Sequence, residues 1–457
     1  MRLADGSHLS YCTNVHPGES WDEIFAALRT HVPAVRRALI DGACEDGCDG
    51  TAGAPEGGMT DGTADGMADR AADGTATGGV GLAAAKAFGI GLRLSHASLT
   101  ELEDADRLAA FRAWLDATGC YVFTLNGFPY GTFHGRPVKA DVYRPDWTES
   151  ARLDYTCRLA TLATRLGAPG QRITISTLPG TYKAWARGAE AAIAANLLDC
   201  AAHCIGLHER TGVHVGIALE PEPCCLLETA QEACAFFADW LRTDAACARV
   251  ARTARASTAR AADGIRQHLG MCHDVCHSAV EFEPPLAAIE RYERAGIRVM
   301  KLQLSAALRL APADAAARAA LAAFDEPVYL HQVVARERDG TLHRHPDIDA
   351  AMAAGLPLDS EWRVHFHVPV FLETLPGFGT TQRVLVELLQ AHATSPLAPH
   401  LEVETYTWDV LPPAMRDVPV ASAIARELAW VGARLQRASC VGERVATAAL
   451  PSRARAA

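Results

Sequence analysis

The chain has 457 residues, of which 49% are hydrophobic, and a formal net charge of -11 at pH 7. This composition can bury a large core, and one barrel with insertions would account for the length as well as two domains would. The acidic balance argues against nucleic acid or an anionic membrane surface as the main partner, because both need a basic face. The start of the sequence has no secretory signal and no later run suits a bilayer span, so we expect a cytoplasmic protein without membrane insertion.

The cysteines indicate a reducing compartment. Fourteen cysteines in a chain without an export signal are typical of reduced, mostly buried thiols. Three pairs have helix-like spacing, namely Cys44/Cys48, Cys200/Cys204 and Cys272/Cys276. This spacing indicates a structural zinc site only weakly, because such sites usually need four grouped sulfur or nitrogen ligands.

Short apolar runs alternate with helical periods from the N terminus onward. A strand is predicted at about 8–14, and Ser20 can cap the helix that follows, where apolar residues recur at helical spacing. Residues 41–81 consist mainly of Gly, Ala, Asp and Thr, which offer too few large apolar groups to offset the entropy of ordering. This segment is therefore predicted to be a disordered insertion.

After this segment the alternation resumes. Further strands are predicted at about 89–96, 121–128, 173–180, 215–223, 270–277, 299–308 and 400–408. Helices are predicted at 100–119, 148–167, 189–212, 229–243, 284–296 and 420–438, with an unassigned Ala/Arg-rich stretch from about 245 to 262. Two more strand-like runs, 328–336 and 362–371, precede the last strand and are predicted to form an inserted antiparallel hairpin.

The repeated strand–helix units determine the predicted fold. They imply right-handed crossovers and a parallel sheet, either closed as a barrel or open and doubly wound. No G-x-G-x-x-G fingerprint follows the first strand and no G-x-x-x-x-G-K-[ST] loop occurs, so nucleotide binding is not supported. We therefore predict an α/β fold, a (β/α)8 TIM barrel formed by residues 1–450 as one domain, with a frayed tail at 451–457.

Side chains that can bind a metal stand at the ends of four predicted strands. They are Glu220, Asp274, Gln303 and Glu404. Strand ends meet at the reactive face of a barrel, so these groups predict a divalent metal site, with Glu220 and Glu404 also acting in catalysis. Mixed oxygen and imidazole ligands suit Mn, Zn, Co or Mg. A salt-bridged strand-end Glu220 and an amphipathic edge strand around Glu404 are the alternatives. Glu222 is a weaker candidate, because it shares a face with Glu220 only if the strand continues through Pro221.

Other polar residues near the strand ends are candidates for substrate binding. They are Asn14, Asn126, Tyr130, His277, Lys301 and His367. His277 follows Asp274 by three residues and reaches a common point with it if the chain turns helical there. Lys301 can hold a phosphate or carboxylate as a point charge, or simply pair with a neighbouring Glu. His365 and His367 share one strand face, although most histidines at such places only satisfy local hydrogen bonds.

These residues resemble the metal site of the xylose-isomerase-like barrel superfamily of sugar-phosphate isomerases and epimerases. The resemblance implies that Glu220, Asp274 and Glu404 are metal ligands and that His277 contacts the substrate. Gln303 stands where that superfamily usually has a histidine. An amide is a poor ligand for a transition metal, so this departure affects both the metal and the catalytic competence that the resemblance implies.

Longer strings resemble a narrower family, the EboE type of metabolite traffic protein. They include FTLNGFPYGTFHG, ISTLPGTYK, LEPEPCCLLE, CHDVCHSAVEFE and LEVETYTWDVLP. The resemblance covers the chain apart from the Gly/Ala/Asp-rich insertion. It implies a role beside other products of a small gene cluster that makes or moves a secondary-metabolite precursor, including prenyl-transfer membrane proteins.

Two functions follow from these expectations. The first is a divalent-metal-dependent isomerase or epimerase of a sugar-like metabolite, in which the metal polarises a carbonyl oxygen and one glutamate moves the proton. The second is a non-catalytic barrel that acts as a carrier or scaffold in the export of a metabolite precursor. Gln303 and the long insertion favour the second function.

Overall fold

The computed structural model describes residues 1–45, 87–135 and 137–448. The predicted insertion at 41–81 lies mostly outside these residues, and the predicted tail at 451–457 lies wholly outside them. Cys48 of the first cysteine pair is also outside them. Residues 41–45 are described, and they continue the first helix rather than starting a loop.

Strands and helices alternate in the first two thirds of the chain. In order, they are β1 (His8–Tyr11), α1 (Trp21–Glu45), β2 (Phe88–Arg93), α2 (His96–Leu102), α3 (Ala105–Thr118), β3 (Cys120–Asn126), α4 (Ser150–Leu166), β4 (Arg172–Thr177), α5 (Glu190–Thr211), β5 (His214–Leu219), α6 (Ala230–Phe236), α7 (Asp244–Ala254), α8 (Thr258–His268), β6 (Leu269–Asp274), α9 (Val275–Val280), α10 (Pro285–Arg294) and β7 (Val299–Leu304).

The last third of the chain adds shorter strands before the alternation resumes. These elements are β8 (Leu308–Leu310), α11 (Ala315–Leu321), β9 (Val333–Arg336), β10 (Leu342–His345), α12 (Ile348–Ala353), β11 (Glu361–Val364), β12 (Thr374–Leu375), β13 (Phe378–Thr380), α13 (Gln382–Thr394), β14 (His400–Val403) and α14 (Val420–Ala448).

Eight strands form one parallel sheet in the order β1-β14-β7-β6-β5-β4-β3-β2. A parallel bridge between Cys12 and Gly91 joins the end of β1 to β2, so the sheet is nearly closed as a barrel. Helices lie between successive barrel strands and α14 follows the last one. The predicted (β/α)8 TIM barrel is therefore confirmed.

The barrel strands are buried because helices cover their outer face and other strands face their inner side. Every residue of β2, β6 and β7 is buried. One glycine makes room for a charged group inside the barrel. A Cβ at Gly91 would overlap the carboxylate of Glu402 on β14, so a larger residue there would displace that side chain.

The segment between β7 and β14 is larger than the predicted hairpin. Six strands form a second sheet in the order β10-β9-β11-β8-β13-β12, and all its pairings are antiparallel. The two predicted runs do pair, as β9 and β11, but β10 also pairs with β9 and β8 also pairs with β11. The hairpin prediction was too small because β8, β12 and β13 are only two or three residues long, which is too short for a periodic pattern to indicate a strand.

Three helical segments also differ from their predictions. The predicted helix 100–119 is split into α2 and α3, because the Asp104 carboxylate accepts hydrogen bonds from two backbone N–H groups and starts a new helix. The predicted helix 229–243 begins as α6 and continues into a π-helical turn at Phe237–Leu241. The unassigned Ala/Arg-rich stretch forms α7 and α8, whose first turns are capped by Thr243 and Ser257.

Within the described part of the chain, one helix is long and apolar enough to cross a membrane. This helix is α5, and 56% of its most apolar window is buried inside the protein. Ile193, Leu197 and Ile205 are fully buried in the main core. The apolar composition of α5 is therefore explained by its packing against the barrel.

Candidate functional site

Three carboxylates converge at the carboxyl ends of the barrel strands. Glu220 directly follows β5, Asp274 ends β6, and Glu404 directly follows β14. One carboxylate oxygen of each residue lies within 4.8 Å of the others, and all three side chains are buried. Isolated carboxylates at this depth are costly unless they are protonated, paired or bound to a cation.

Glu404 and Asp274 each accept hydrogen bonds from neighbouring groups through one carboxylate oxygen. Glu404 Oε1 accepts hydrogen bonds from Asn14 Nδ2 at 2.7 Å and Asn126 Nδ2 at 3.0 Å. Asp274 Oδ1 accepts from the Ser305 hydroxyl at 2.7 Å and from the backbone N–H of His277 at 3.0 Å. Both asparagines therefore lie in the site, where they bind a site carboxylate.

The remaining oxygens of two carboxylates have no hydrogen-bond partner among the described residues. These atoms are Glu220 Oε2 and Asp274 Oδ2, and both are inaccessible to solvent. Buried polar atoms in native proteins nearly always have a partner, so these two unpaired oxygens indicate a site for a cation or bound water. This donor set therefore fits a divalent metal ion.

The electrostatics of the three carboxylates support this interpretation. Burial and the neighbouring Glu404 and Asp274 raise the pKa of Glu220 well above its usual range. Burial, together with Asp274 and Glu402, raises the pKa of Glu404 to about 8. Burial alone would raise the pKa of Asp274, but the adjacent imidazoles of His277 and His367 outweigh it, so this pKa is lowered. Without a cation, Glu404 therefore favours its protonated form at neutral pH, and burial acts in the same direction on Glu220.

His367 supplies a nitrogen donor beside these carboxylates. Its Nδ1 donates to the backbone oxygen of Glu404 at 2.7 Å, which leaves a lone pair on Nε2. Nε2 is buried, has no partner in the described ranges, and lies 4.0 Å from Asp274 Oδ2. Burial lowers the pKa of His367 to about 4, so the ring is neutral and can bind a metal. The predicted substrate-binding role of His367 stays a prediction, and its position next to Asp274 also allows it to bind a metal.

Gln303 lies on β7 next to two of the site strands. Its backbone pairs in register with Asp274 on one side and Glu402 on the other. The side chain is fully buried, and neither amide atom has a hydrogen-bond partner among the described residues. A role of Gln303 as a metal ligand therefore stays a prediction.

Lys301 forms an ion pair inside the barrel. It stands two residues before Gln303 on β7, inside the barrel, and it does not line the cavity at the mouth. Its Nζ is 2.5 Å from Glu402 Oε2 and 3.3 Å from Ser176 Oγ. Burial would lower the pKa of Lys301, but Glu402 outweighs it and the pKa is raised, so the ammonium stays charged. The ion pair with Glu402 is the alternative stated for Lys301, namely pairing with a neighbouring Glu, and the substrate-binding role stays a prediction.

Tyr130 also lies outside the cavity. Its ring stacks on His96 with a centroid separation of 4.7 Å and packs edge-on against Tyr155 at 5.1 Å. It is not among the residues that line the cavity. The loop after β3 places this side chain against α2 and α4. Its predicted contact with the substrate stays a prediction.

A cavity of about 60 Å³ opens above the carboxylates. Its floor is polar and includes Asn14, Asn126, Glu220, Glu222, His277 and Glu404. Its walls are apolar or aromatic and include Phe128, Phe133, Tyr143, Tyr329, Leu330 and Tyr406. The floor can bind oxygen atoms, and the walls can cover an apolar group.

Several cavity residues were missed or given little weight in the sequence. Glu222 accepts from the Tyr143 hydroxyl at 2.7 Å and from Gln332 Nε2 at 3.1 Å. Gln332 Oε1 in turn bonds His365 Nδ1 at 2.7 Å. Gln332 lies just before β9 and His365 just after β11, so the inserted sheet completes the site. The only sequence signal for this was the histidine-bearing run around His365.

The cysteine pairs form no four-ligand zinc site within the described residues. Cys200 and Cys204 are buried together on α5, and Cys272 is buried in the barrel interior. Cys276 can share an ion only with His365 and His367, which belong to the cavity.

No protein-family model and no curated protein matches the chain. Solved structures of xylose-isomerase-like barrels do match it. The xylose isomerase domain protein from Planctomyces limnophilus is 14% identical over 79% of this chain and 90% of that one, with a TM-score of 0.42. The xylose isomerase-like TIM barrel protein from Mycobacterium smegmatis in complex with magnesium is 11% identical over 78% and 86%, with a TM-score of 0.39. A D-tagatose 3-epimerase-like protein is 10% identical over 78% and 90%, with a TM-score of 0.38.

These neighbours are distant, so they carry no argument about the reaction of this chain. The strand order of this chain shows its fold. A shared fold does not determine function, which depends on the residues of the site.

Proposed function

We propose that this protein is a divalent-metal-dependent isomerase or epimerase of a sugar-like, polyhydroxylated small molecule. The observation that carries the proposal is the convergence of Glu220, Asp274 and Glu404 in a buried site that holds unpaired carboxylate oxygens. His367 adds a nitrogen donor to this set. Three oxygens and one imidazole suit Mn, Zn or Co, and Mg is also compatible.

The residues support a proton transfer next to a carbonyl group. An ion held by Glu220, Asp274, Glu404 and His367 would supply a Lewis acid that polarises the substrate carbonyl. Glu220 would hold the ion by one oxygen, and its other oxygen could remove or return a proton on the adjacent carbon. Asn14 and Asn126 hold Glu404 by Oε1, which fixes the orientation of this second carboxyl group beside the substrate.

The shape of the cavity supports a substrate with two unlike ends. His277 and the carboxylates form a polar floor that can bind hydroxyl and carbonyl oxygens. Tyr143, Tyr329 and Tyr406 form aromatic walls that exceed what a bare sugar needs. We therefore expect a polyol or cyclitol head that carries an apolar substituent.

Metal analysis of purified protein tests the proposal without a substrate. We expect bound divalent metal, and we expect chelation to lower the melting temperature, because an ion present at 100 times its Kd stabilises by about 2.7 kcal/mol. Glu220→Gln and Asp274→Asn should reduce the metal content. Glu427→Gln is the matched control, because Glu427 is a buried carboxyl group that bonds Thr405 and Val370 and lies outside the proposed ligand set. Metal-free protein with a melting temperature that chelators do not change would reject the proposal.

A second experiment tests the chemistry. Metal-loaded protein is incubated in D2O with a panel of ketoses, aldoses and inososes, and deuterium at the carbon next to the carbonyl is followed by NMR. We expect incorporation with at least one substrate, and we expect Glu220→Gln to abolish it.

A carrier or scaffold role in metabolite traffic is the second candidate. Gln303 favours it, because an amide stands on a site strand where an imidazole would strengthen the metal shell. In this case the partners would be a small-molecule metabolite and other proteins of the same gene cluster. Protein that binds metal and ligand but exchanges no deuterium in D2O would favour the carrier over the enzyme.

A further inference from the structure

Two buried imidazoles face each other beside the metal site. His277 lies on α9 and His365 follows β11, and their Nε2 atoms are 3.1 Å apart. The centroids of the rings are 4.5 Å apart and the rings are nearly perpendicular, so the Nε2 atoms approach without stacking. Both residues are at most 5% exposed, and both line the cavity at the barrel mouth.

Hydrogen bonding fixes the tautomer of both rings. His277 Nδ1 is 3.0 Å from the backbone oxygen of Pro221, which only accepts, so Nδ1 carries the proton. His365 Nδ1 is 2.7 Å from Gln332 Oε1. The orientation of Gln332 is itself fixed, because its Nε2 donates to Glu222 Oε1 and to the Pro223 backbone oxygen. His365 Nδ1 therefore also carries the proton.

Two nitrogen lone pairs consequently point at each other. The Tyr406 hydroxyl is 3.5 Å from His365 Nε2, and its single proton cannot satisfy both lone pairs. The contact needs either an additional shared proton, which would create an imidazolium ion, or a cation that accepts both lone pairs. Two nitrogens 3.1 Å apart can each lie 2.0–2.1 Å from one ion at an N–metal–N angle of about 98°, which is close to tetrahedral and octahedral geometry.

We propose that His277 and His365 bind a second divalent cation beside the first. Glu222 lies next to these residues, since Glu222, His277 and His365 each offer one possible ligand atom within 4.8 Å of the others, and it would complete a set of two nitrogens and one oxygen. Asp274 Oδ2 is 3.9 Å from His277 Nε2 and 4.0 Å from His367 Nε2, so it lies between the two ions and can bridge them. The second site rests on the proposed function only through this shared carboxylate.

The ligand set predicts the metal and its use. Imidazole ligands favour Zn, Co or Mn over Mg. The second ion would lie on the cavity floor, next to Glu222, where it can bind a second oxygen of the substrate and fix the orientation of the carbon that loses its proton. The inserted sheet would then be part of the reactive centre, since it provides His365 and His367.

Metal stoichiometry tests this inference. Apoprotein is loaded with Zn²⁺, passed through a desalting column and analysed for zinc per chain. We expect two ions in the wild type, one in His365→Gln and one in Glu220→Gln. His343→Gln is the matched control, because this histidine lies on β10 of the same inserted sheet and pairs with Glu337 outside the cavity. It should keep two ions.

The other outcomes separate this inference from the proposed function. One ion in the wild type, unchanged in His365→Gln, would mean that the imidazoles share a proton; it would overturn the second site and leave the first intact. Two ions in His365→Gln would overturn the position of the second site. No ion in any protein would reject both sites.

A measurement on wild-type protein avoids the risk that a variant fails to fold. Co²⁺-substituted protein should show three strongly shifted, exchangeable imidazole N–H signals in its proton NMR spectrum. They would come from the Nδ1 protons of His277, His365 and His367, each held by an oxygen acceptor. A single such signal would overturn the second site.

Discussion

Metal binding at the first site should release protons at pH 7. Burial and the neighbouring carboxylates raise the pKa of Glu220 well above its usual range, so Glu220 adds to this release. The pKa of Glu404 is raised to about 8. A group with this pKa is about 90% protonated at pH 7. The pKa of Asp274 is lowered, which disfavours its protonated form. Glu404 alone should therefore release about 0.9 proton for the first ion, and Glu220 raises the total above that value.

The same numbers give a pH dependence with a defined sign. Protons compete with the metal, so the affinity for the first ion should rise with pH up to about 8. At pH 9 Glu404 is only about 10% protonated, so its share of the release should fall by about 0.8 proton per ion between pH 7 and pH 9. Glu404→Gln should lack this difference, because it lacks the group that titrates between these pH values.

Isothermal titration calorimetry in buffers of different ionisation enthalpy measures this release directly. The slope of observed enthalpy against buffer enthalpy is the number of protons transferred. A slope near zero at pH 7 would refute the reasoning, because the ligands would then already be ionised without a metal. An equal slope at pH 7 and pH 9 would contradict the assignment of a titrating proton to Glu404.

Three further predictions concern buried polar groups. Lys301→Met leaves the Glu402 carboxylate unpaired in the barrel interior and should lower the free energy of unfolding in urea by about 3–5 kcal/mol. The double variant with Glu402→Leu should recover most of this loss of stability. A single variant as stable as the wild type would contradict the ion pair. The pKa of Glu427 is raised by burial to about 7. The folded protein therefore binds this proton more tightly than the unfolded chain, and the free energy of unfolding should fall by about 3 kcal/mol as pH rises from 4.5 to above 7. Glu427→Gln should remove this part of the pH dependence. An unchanged pH dependence in the variant would show that Glu427 is not responsible. Gln303→Leu separates two roles of this residue: a ligand role predicts a loss of metal affinity, whereas an amide without a partner predicts a gain in stability with unchanged metal content.

The barrel could be predicted from the sequence because its strands have a strong local signal. Strands buried on both faces are nearly continuous apolar runs, and each is followed by a helix with its own period and stop. Glu220 after β5 and Glu404 after β14 could be identified because each follows such an apolar run. A carboxylate such as Glu220 or Glu404 at the end of an apolar run is conspicuous, and parallel strands bring such ends to one edge.

The depth of a side chain in the barrel could not be predicted. Lys301 and Gln303 share a face of β7, and the sequence pattern fixes that face. It does not fix where the strand meets the cavity. Two residues along a strand are about 6–7 Å, which places Lys301 at the level of Glu402 instead of at the mouth.

The contribution of the inserted sheet could not be predicted either. His365 and His367 reach the site because β9 and β11 pair and dock on the barrel mouth. These strands have four residues each, so their periodicity is weak. Contacts such as His277 with His365 join residues that are 88 positions apart, and no local pattern specifies them.

The central claim is that Glu220, Asp274, Glu404 and His367 hold one divalent ion at the barrel mouth. A crystal of the protein soaked in MnCl2, with data collected to reveal anomalous scattering from manganese, tests it most directly. We expect an anomalous peak about 2.0–2.3 Å from one carboxylate oxygen of each acidic residue and from His367 Nε2. A crystal with full access to the cavity and no peak between these four side chains would contradict the claim.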